Sequence, residues 1–236
     1  VPQWTDRIFT APPASLTPDQ VARLQKLGSD YAQLARYRDD NAKLPPPTPG
    51  EQRVVFYGDS ITDAWGRRGD ETKFFAGKPY VNRGISGQTT AQMLVRFQQD
   101  VVHLKPAAVV ILAGTNDLAG NTGLSTLPMI EDNLTSMAEI AQANGIRVIL
   151  ASVLPASEYP WRPDVHPAAK IRELNAWIKQ YCKEHGFTYV DYYAAMANAQ
   201  GGLDPTLAKD GVHPTAAGYA IMAPLAEKSI AAALAR

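Results

Sequence analysis

The sequence predicts an α/β domain built on a parallel sheet with helices on both faces, and three observations carry that prediction. From Gln52 onward, short apolar runs of strand length alternate with amphipathic helical stretches, the order that a parallel sheet and its crossover helices require. Asn144-Gly145 and His185-Gly186 stand where two of those helices should stop, because Gly accepts the left-handed turn that ends a helix. A chain of 236 residues with 45% apolar content can bury one sizeable core, so a single main domain is expected over residues 51–236.

Residues 1–50 read as an appendage to that domain. Thr17-Pro18-Asp19-Gln20 supplies an N-cap, a Pro at the first helical position and a capping-box Gln, which together start a helix. Val21, Leu24, Leu27, Tyr31, Leu34 and Tyr37 recur at spacings of three and four, so one apolar stripe is expected to dock on the main body, with Gly28 loosening the helix midway. Leu44-Pro45-Pro46-Pro47-Thr48-Pro49-Gly50 then ends the helix as an extended spacer.

Strands are expected near Arg53 to Tyr57, Tyr80 to Asn82, Ala108 to Ala113, Arg147 to Ser152 and Thr188 to Val190. The covering helices fall near Thr89 to Val102, Leu127 to Asn144, Ala168 to Glu184 and Thr215 to Ala235. In open sheets of this class ligands sit beyond the carboxyl ends of the strands. Ser60, Gly87 and Asn116 each follow such an end, so three strands should deliver them to one edge.

Composition narrows the partners. Lys plus Arg and Asp plus Glu both number 23, so no net field draws the chain to nucleic acid or to an anionic membrane; small neutral molecules are the expected partners. No apolar run approaches the ~20 residues that span a bilayer. The single cysteine, Cys182, has no intramolecular partner and reads as a packed thiol within a helix. The chain begins at Val1, which suggests a processed or trimmed product and a secreted or periplasmic location. Oligomeric state is not legible.

The chemistry lies in Val54-Val55-Phe56-Tyr57-Gly58-Asp59-Ser60 and in Asp210-Gly211-Val212-His213-Pro214. A serine at the end of a strand and a histidine beside a carboxylate are the parts that activate a hydroxyl nucleophile. Asp210 precedes His213 by three residues, close enough to fix the imidazole tautomer, while Asp59 is expected to hold the turn. Catalytic readings therefore fall on Ser60, His213 and Asp210. Two further blocks follow strands: Asn82-Arg83-Gly84-Ile85-Ser86-Gly87-Gln88-Thr89-Thr90 and Ala113-Gly114-Thr115-Asn116-Asp117.

With these four blocks the chain, from about Arg53 onward, resembles the SGNH hydrolases, also called GDSL esterases, and within them bacterial members similar to platelet-activating-factor acetylhydrolases. The resemblance implies a three-layer, flavodoxin-like sandwich whose five-stranded parallel sheet has the order 2-1-3-4-5. It implies a serine esterase working without metal or organic cofactor. It places the oxyanion on the Ser60 N–H, the Gly87 N–H and the Asn116 amide, leaves Gly84 to a tight turn, and puts Gln88 outside the catalytic set. Acetyl esters of sugars are the first expectation for substrate, and lysophospholipid or thioester cleavage the second.

The irregular stretch Leu154 to Pro167 follows the fourth strand, so Tyr159 and Trp161 are candidates to wall an acyl or sugar pocket; Trp65 and Arg67 are weaker ones. His103, His166 and His185 read as surface residues. An α/β-hydrolase would need Gly-x-Ser-x-Gly, and a metal phosphoesterase would need clustered ligands; neither pattern is present. The rival from another class is a non-catalytic flavodoxin-like binding module, and the intact Ser, Gly, Asn, Asp and His set argues against it.

Overall fold

The computed structural model describes residues 17–66 and 74–236. Arg67 and the side chains of Gln20 and Leu27 lie outside the described residues. Among the described residues two helices come first, α1 (Pro18–Ser29) and α2 (Arg38–Lys43). Then follow β1 (Val54–Gly58), α3 (Ser60–Ala64), β2 (Tyr80–Gly84), α4 (Thr90–Asp100) and β3 (Ala108–Leu112). The chain continues through α5 (Thr115–Leu118), α6 (Leu127–Ala143), β4 (Arg147–Ala151), α7 (Ala168–His185), β5 (Thr188–Val190), α8 (Tyr192–Met196) and α9 (Ala216–Leu234).

Among the described residues all four strand pairs are parallel and the order is β2-β1-β3-β4-β5, the flavodoxin-like order. The pleat sorts side chains to two cores. Val55, Tyr57, Val109, Ile111, Val148 and Leu150 face the helices α4, α6 and α7. Val54, Phe56, Val110, Leu112, Ile149 and Ala151 face α9, α8 and the ring cluster of Trp65, Phe74 and Phe75. Each buried Val, Ile or Leu contributes about 1.5–3 kcal/mol, which is why the strands carry little polar alternation.

Register positions the site. Gly58 at the end of β1 lies opposite both Gly84 of β2 and Leu112 of β3, so the segments leaving these strands emerge side by side. The chain moves from β1 outward to β2 and then returns across β1 to β3, so the crevice at the switch point opens between those segments. Gly84 ends a strand, not a tight turn as expected: a Cβ there would lie 2.1 Å from the Asp63 nitrogen, so only glycine lets β2 approach α3.

Beneath that edge sits Arg96, fully buried on α4. Its guanidinium donates to the Gly58 carbonyl at 3.1 Å, to the Arg83 carbonyl at 2.9 Å, to Gln88 Oε1 and to Asp100 Oδ2 at 3.0 Å, and it lies over the Tyr57 ring. One side chain thus joins the ends of β1 and β2 to the loop that carries Gly87.

The N-terminal stripe departs from expectation. The helix stops at Ser29, and Val21, Leu24, Tyr31 and Leu34 are exposed while Tyr37 is buried. The physical reason lies in Asp30, whose carboxylate accepts the Leu34 and Ala35 N–H groups, and in the left-handed Gln33 that follows. Docking is mainly polar. Gln88, Gln92 and Gln99 donate to the carbonyls of Ala32, Tyr31 and Leu34, and the Tyr37 hydroxyl donates to the Gly84 carbonyl.

Candidate active site

Ser60 opens α3 directly after β1 and is 8% exposed. Its turn is held by Asp59, whose carboxylate accepts the Ile61 N–H at 3.0 Å; α3 is tied to α9 by the Tyr219 hydroxyl, which donates to the Ile61 carbonyl at 2.7 Å. His213 arrives from the other end of the sequence, on the loop before α9. Ser60 Oγ and His213 Nε2 are 2.9 Å apart, and His213 Nδ1 lies 2.6 Å from Asp210 Oδ2.

The loop that carries this pair is set by its own backbone. Asp210 Oδ1 accepts the N–H groups of Val212 and His213, Val212 is buried in the core, and Thr215 N–H donates to the Leu207 carbonyl. Burial opposes ionisation of Asp210, but the bonds from His213 and Val212 outweigh it and hold the carboxyl below its usual range. A carboxylate so fixed favours the tautomer with its proton on Nδ1, the one in which Nε2 can accept from Ser60.

Asn116, on α5, is 3% exposed. Its Nδ2 donates to the Gln88 carbonyl at 3.0 Å and to Asp59 Oδ2 at 3.2 Å. Gly87 adopts φ +80°, a left-handed conformation that glycine takes without strain. Asp59 is pushed up to about 6, chiefly by burial, and Asp117 likewise to about 6. Asp117 sits behind the site, accepting the N–H and hydroxyl of Thr90.

The stretch after β4 folds over this edge. Asn175 of α7 pins its start by bonding both the N–H and the carbonyl of Val153. Trp161 is 38% exposed, stacks on Tyr159 at 5.1 Å and lies 6.0 Å from the His213 ring. Tyr159 is fully buried, so it supports Trp161 from below and is not itself placed to wall a pocket. Trp65 is buried among Phe56, Phe74, Phe75 and Tyr219 and belongs to the core.

His103, His166 and His185 are exposed. Cys182 is buried, which pushes its thiol up to about 12. Among the described residues no helix is long and apolar enough to cross a membrane.

Two residues beside the site were undervalued by the sequence reading. Gln88 is buried between Arg96 and Ala32 and gives its carbonyl to Asn116, so its amide has a donor and an acceptor task. Asn121 was not singled out at all, yet its amide bonds Asn116, Gly87 and Trp161. Its place five residues after Asn116, where α5 has just ended, was the only available signal.

The fold and this edge define an ester hydrolase of the serine type. Residues 56–221 match the GDSL-like Lipase/Acylhydrolase family, and the chain belongs to that family. A solved GDSL-like lipase from Bacteroides thetaiotaomicron VPI-5482 is 47% identical, with a TM-score of 0.82 over 86% of this chain and 99% of that one. The esterase TesA of Pseudomonas aeruginosa is 29% identical over 70% of this chain and 81% of its own length. An acetylxylan esterase of Geobacillus stearothermophilus is 28% identical over 73% of this chain and 90% of its own.

Proposed function

We propose that this enzyme hydrolyses short-acyl esters, acetyl esters of carbohydrates first among them, through an acyl-enzyme on Ser60. The observation that carries the reading is the continuous pair of contacts Ser60 Oγ to His213 Nε2 and His213 Nδ1 to Asp210 Oδ2. In acylation, Ser60 Oγ attacks the ester carbonyl carbon while its proton passes to His213 Nε2. The carbonyl oxygen takes the negative charge, and the Ser60 N–H, the Gly87 N–H and Asn116 Nδ2 receive it. Collapse breaks the C–O bond, and the leaving alkoxide takes the proton from His213. Water then repeats the sequence against the acyl-enzyme, releasing the acid and restoring Ser60.

Asn116 has acceptors for both Nδ2 hydrogens in the free enzyme. The longer contact, to Asp59, is the one the oxyanion shares, and hydrogen bonds of a resting site commonly re-aim in this way when the transition state forms.

For the alcohol, the half-exposed Trp161 beside His213 offers a flat apolar face of the kind that sugar rings stack on, and the similarity to an acetylxylan esterase supports the same choice. An exported location, where acetylated polysaccharide is met, belongs to this proposal. A panel of acetyl, butyryl, octanoyl and palmitoyl p-nitrophenyl esters, with acetate release from acetylated xylo-oligosaccharides, tests it. Rates should fall as the acyl chain lengthens. Each buried methylene would contribute about 0.8 kcal/mol in an acyl channel, so a maximum at octanoyl or beyond without acetate release would replace the proposal by a lysophospholipase or thioesterase reading.

A further inference from the structure

Asn121 lies where the three parts of the site meet. Its Nδ2 donates to Asn116 Oδ1 at 2.7 Å and to the Gly87 carbonyl at 3.2 Å, and its Oδ1 accepts the Trp161 indole N–H at 3.1 Å. Its own N–H donates to the Asn116 carbonyl at 3.0 Å. One partly buried amide therefore touches both loops assigned to the oxyanion and the aromatic face beside His213.

We infer that Asn121 is a positioning residue that orients the oxyanion donors and couples them to Trp161. The inference rests on the assignment of Ser60, Gly87 and Asn116 above. A primary amide has two distinct ends, and the oxyanion can use only the Nδ2 end of Asn116. A donor placed on Asn116 Oδ1 fixes which end faces Ser60 and polarises the amide, so its N–H becomes a stronger donor. The same Asn121 amide restrains the carbonyl of Gly87, and so the loop that presents the Gly87 N–H. Trp161 closes the chain: its indole N–H engages Asn121 Oδ1, which leaves Asn121 Nδ2 facing Asn116. A sugar resting on Trp161 would thereby sit one hydrogen bond away from the group that orients the oxyanion donors.

Kinetics with p-nitrophenyl acetate separate this role from a structural one. Asn121→Ala should lower kcat about tenfold with KM changed by less than about twofold, because orientation of the donors matters most when charge develops. The rate of Ser60 labelling by a p-nitrophenyl phosphonate should fall in parallel. Trp161→Phe, which keeps the ring and removes the N–H, should lower kcat about threefold alone and no further in the Asn121→Ala background, as expected when one residue acts through the other. Asn121→Asp, which keeps the size and loses the donor, should match or exceed the alanine loss, and melting temperatures identify any variant whose loss is unfolding. An unchanged kcat in folded Asn121→Ala and Asn121→Asp, a change confined to KM, or additive Trp161 and Asn121 effects would overturn the inference. In each of those cases phosphonate labelling of wild-type Ser60 would leave the assignment of the nucleophile standing; failure to label Ser60 would remove that assignment itself.

Discussion

Asn116 Nδ2 lies 3.2 Å from Asp59 Oδ2 and 3.0 Å from the Gln88 carbonyl, so the amide is oriented by the residue before the serine and by the loop after β2. The Gln88 contact anchors one Nδ2 hydrogen, so only the other, now on Asp59, has to re-aim when charge develops beside it. Removing one donor of this type costs about 2.7–4 kcal/mol in the barrier. Asn116→Ala should lower kcat by two to three orders of magnitude on that scale, with KM nearly unchanged. Steady-state kinetics on a short-acyl ester check this, and a defect confined to KM would make Asn116 a substrate-positioning group.

Arg96 is the stability counterpart. It and Asp100 are both fully buried, 3.0 Å apart, and Arg96 also serves the carbonyls of Gly58 and Arg83. Arg96→Met should cost about 3–5 kcal/mol, because it leaves the Asp100 carboxylate buried without its cation. Adding Asp100→Leu should recover part of that loss. Urea titration of wild type and the two variants measures it; a double variant no more stable than Arg96→Met would show that the carbonyl bonds, not the charge pair, carry the effect.

The parallel sheet and the long helices were legible in the sequence because periodicity reports faces, and faces are what these elements bury; the strand order was legible only through the resemblance that the four blocks carry. Ser60, Asp210, His213, Gly87 and Asn116 were legible as positions because they follow strand ends or sit at fixed short spacing. The contacts of Arg96, Gln88 and Asn121 were not, since each bonds carbonyls or amides brought together only by the fold. The N-terminal stripe misled because a correct helical spacing of apolar residues says nothing of Asp30, which turns the chain and hands docking to three glutamines.

Two buried carboxyls set a pH dependence of stability. Burial pushes Asp117 and Asp59 up from 3.8 to about 6, so the folded chain keeps protons that the unfolded chain releases. Their stabilising contribution is complete below about pH 3.8 and is lost as pH rises through about 6. The stability advantage of wild type over Asp117→Asn should therefore be largest near pH 4 and narrow through about pH 6. Thermal melts across that window test it, and a gap that widens with pH would mean the Thr90 bonds hold the carboxyl low.

Trp161 bears on alcohol recognition as well as on the oxyanion donors, and a comparison of two substrates isolates the first. Trp161→Ala should lower kcat/KM for acetylated xylo-oligosaccharide relative to p-nitrophenyl acetate by about threefold to tenfold, the scale of one aromatic stacking contact. The ratio cancels any effect on the oxyanion donors, which both substrates share. An unchanged ratio would place the sugar elsewhere.

The central claim is that Ser60, activated by His213 2.9 Å away, forms the acyl-enzyme. The most direct measurement is the site of covalent modification by a p-nitrophenyl phosphonate, read by mass spectrometry of the intact protein and its peptides, in wild type and in His213→Ala. One adduct on Ser60 in wild type, with labelling slowed by orders of magnitude in His213→Ala, is the predicted result; an adduct on another serine, or equal labelling rates in the two proteins, would contradict it.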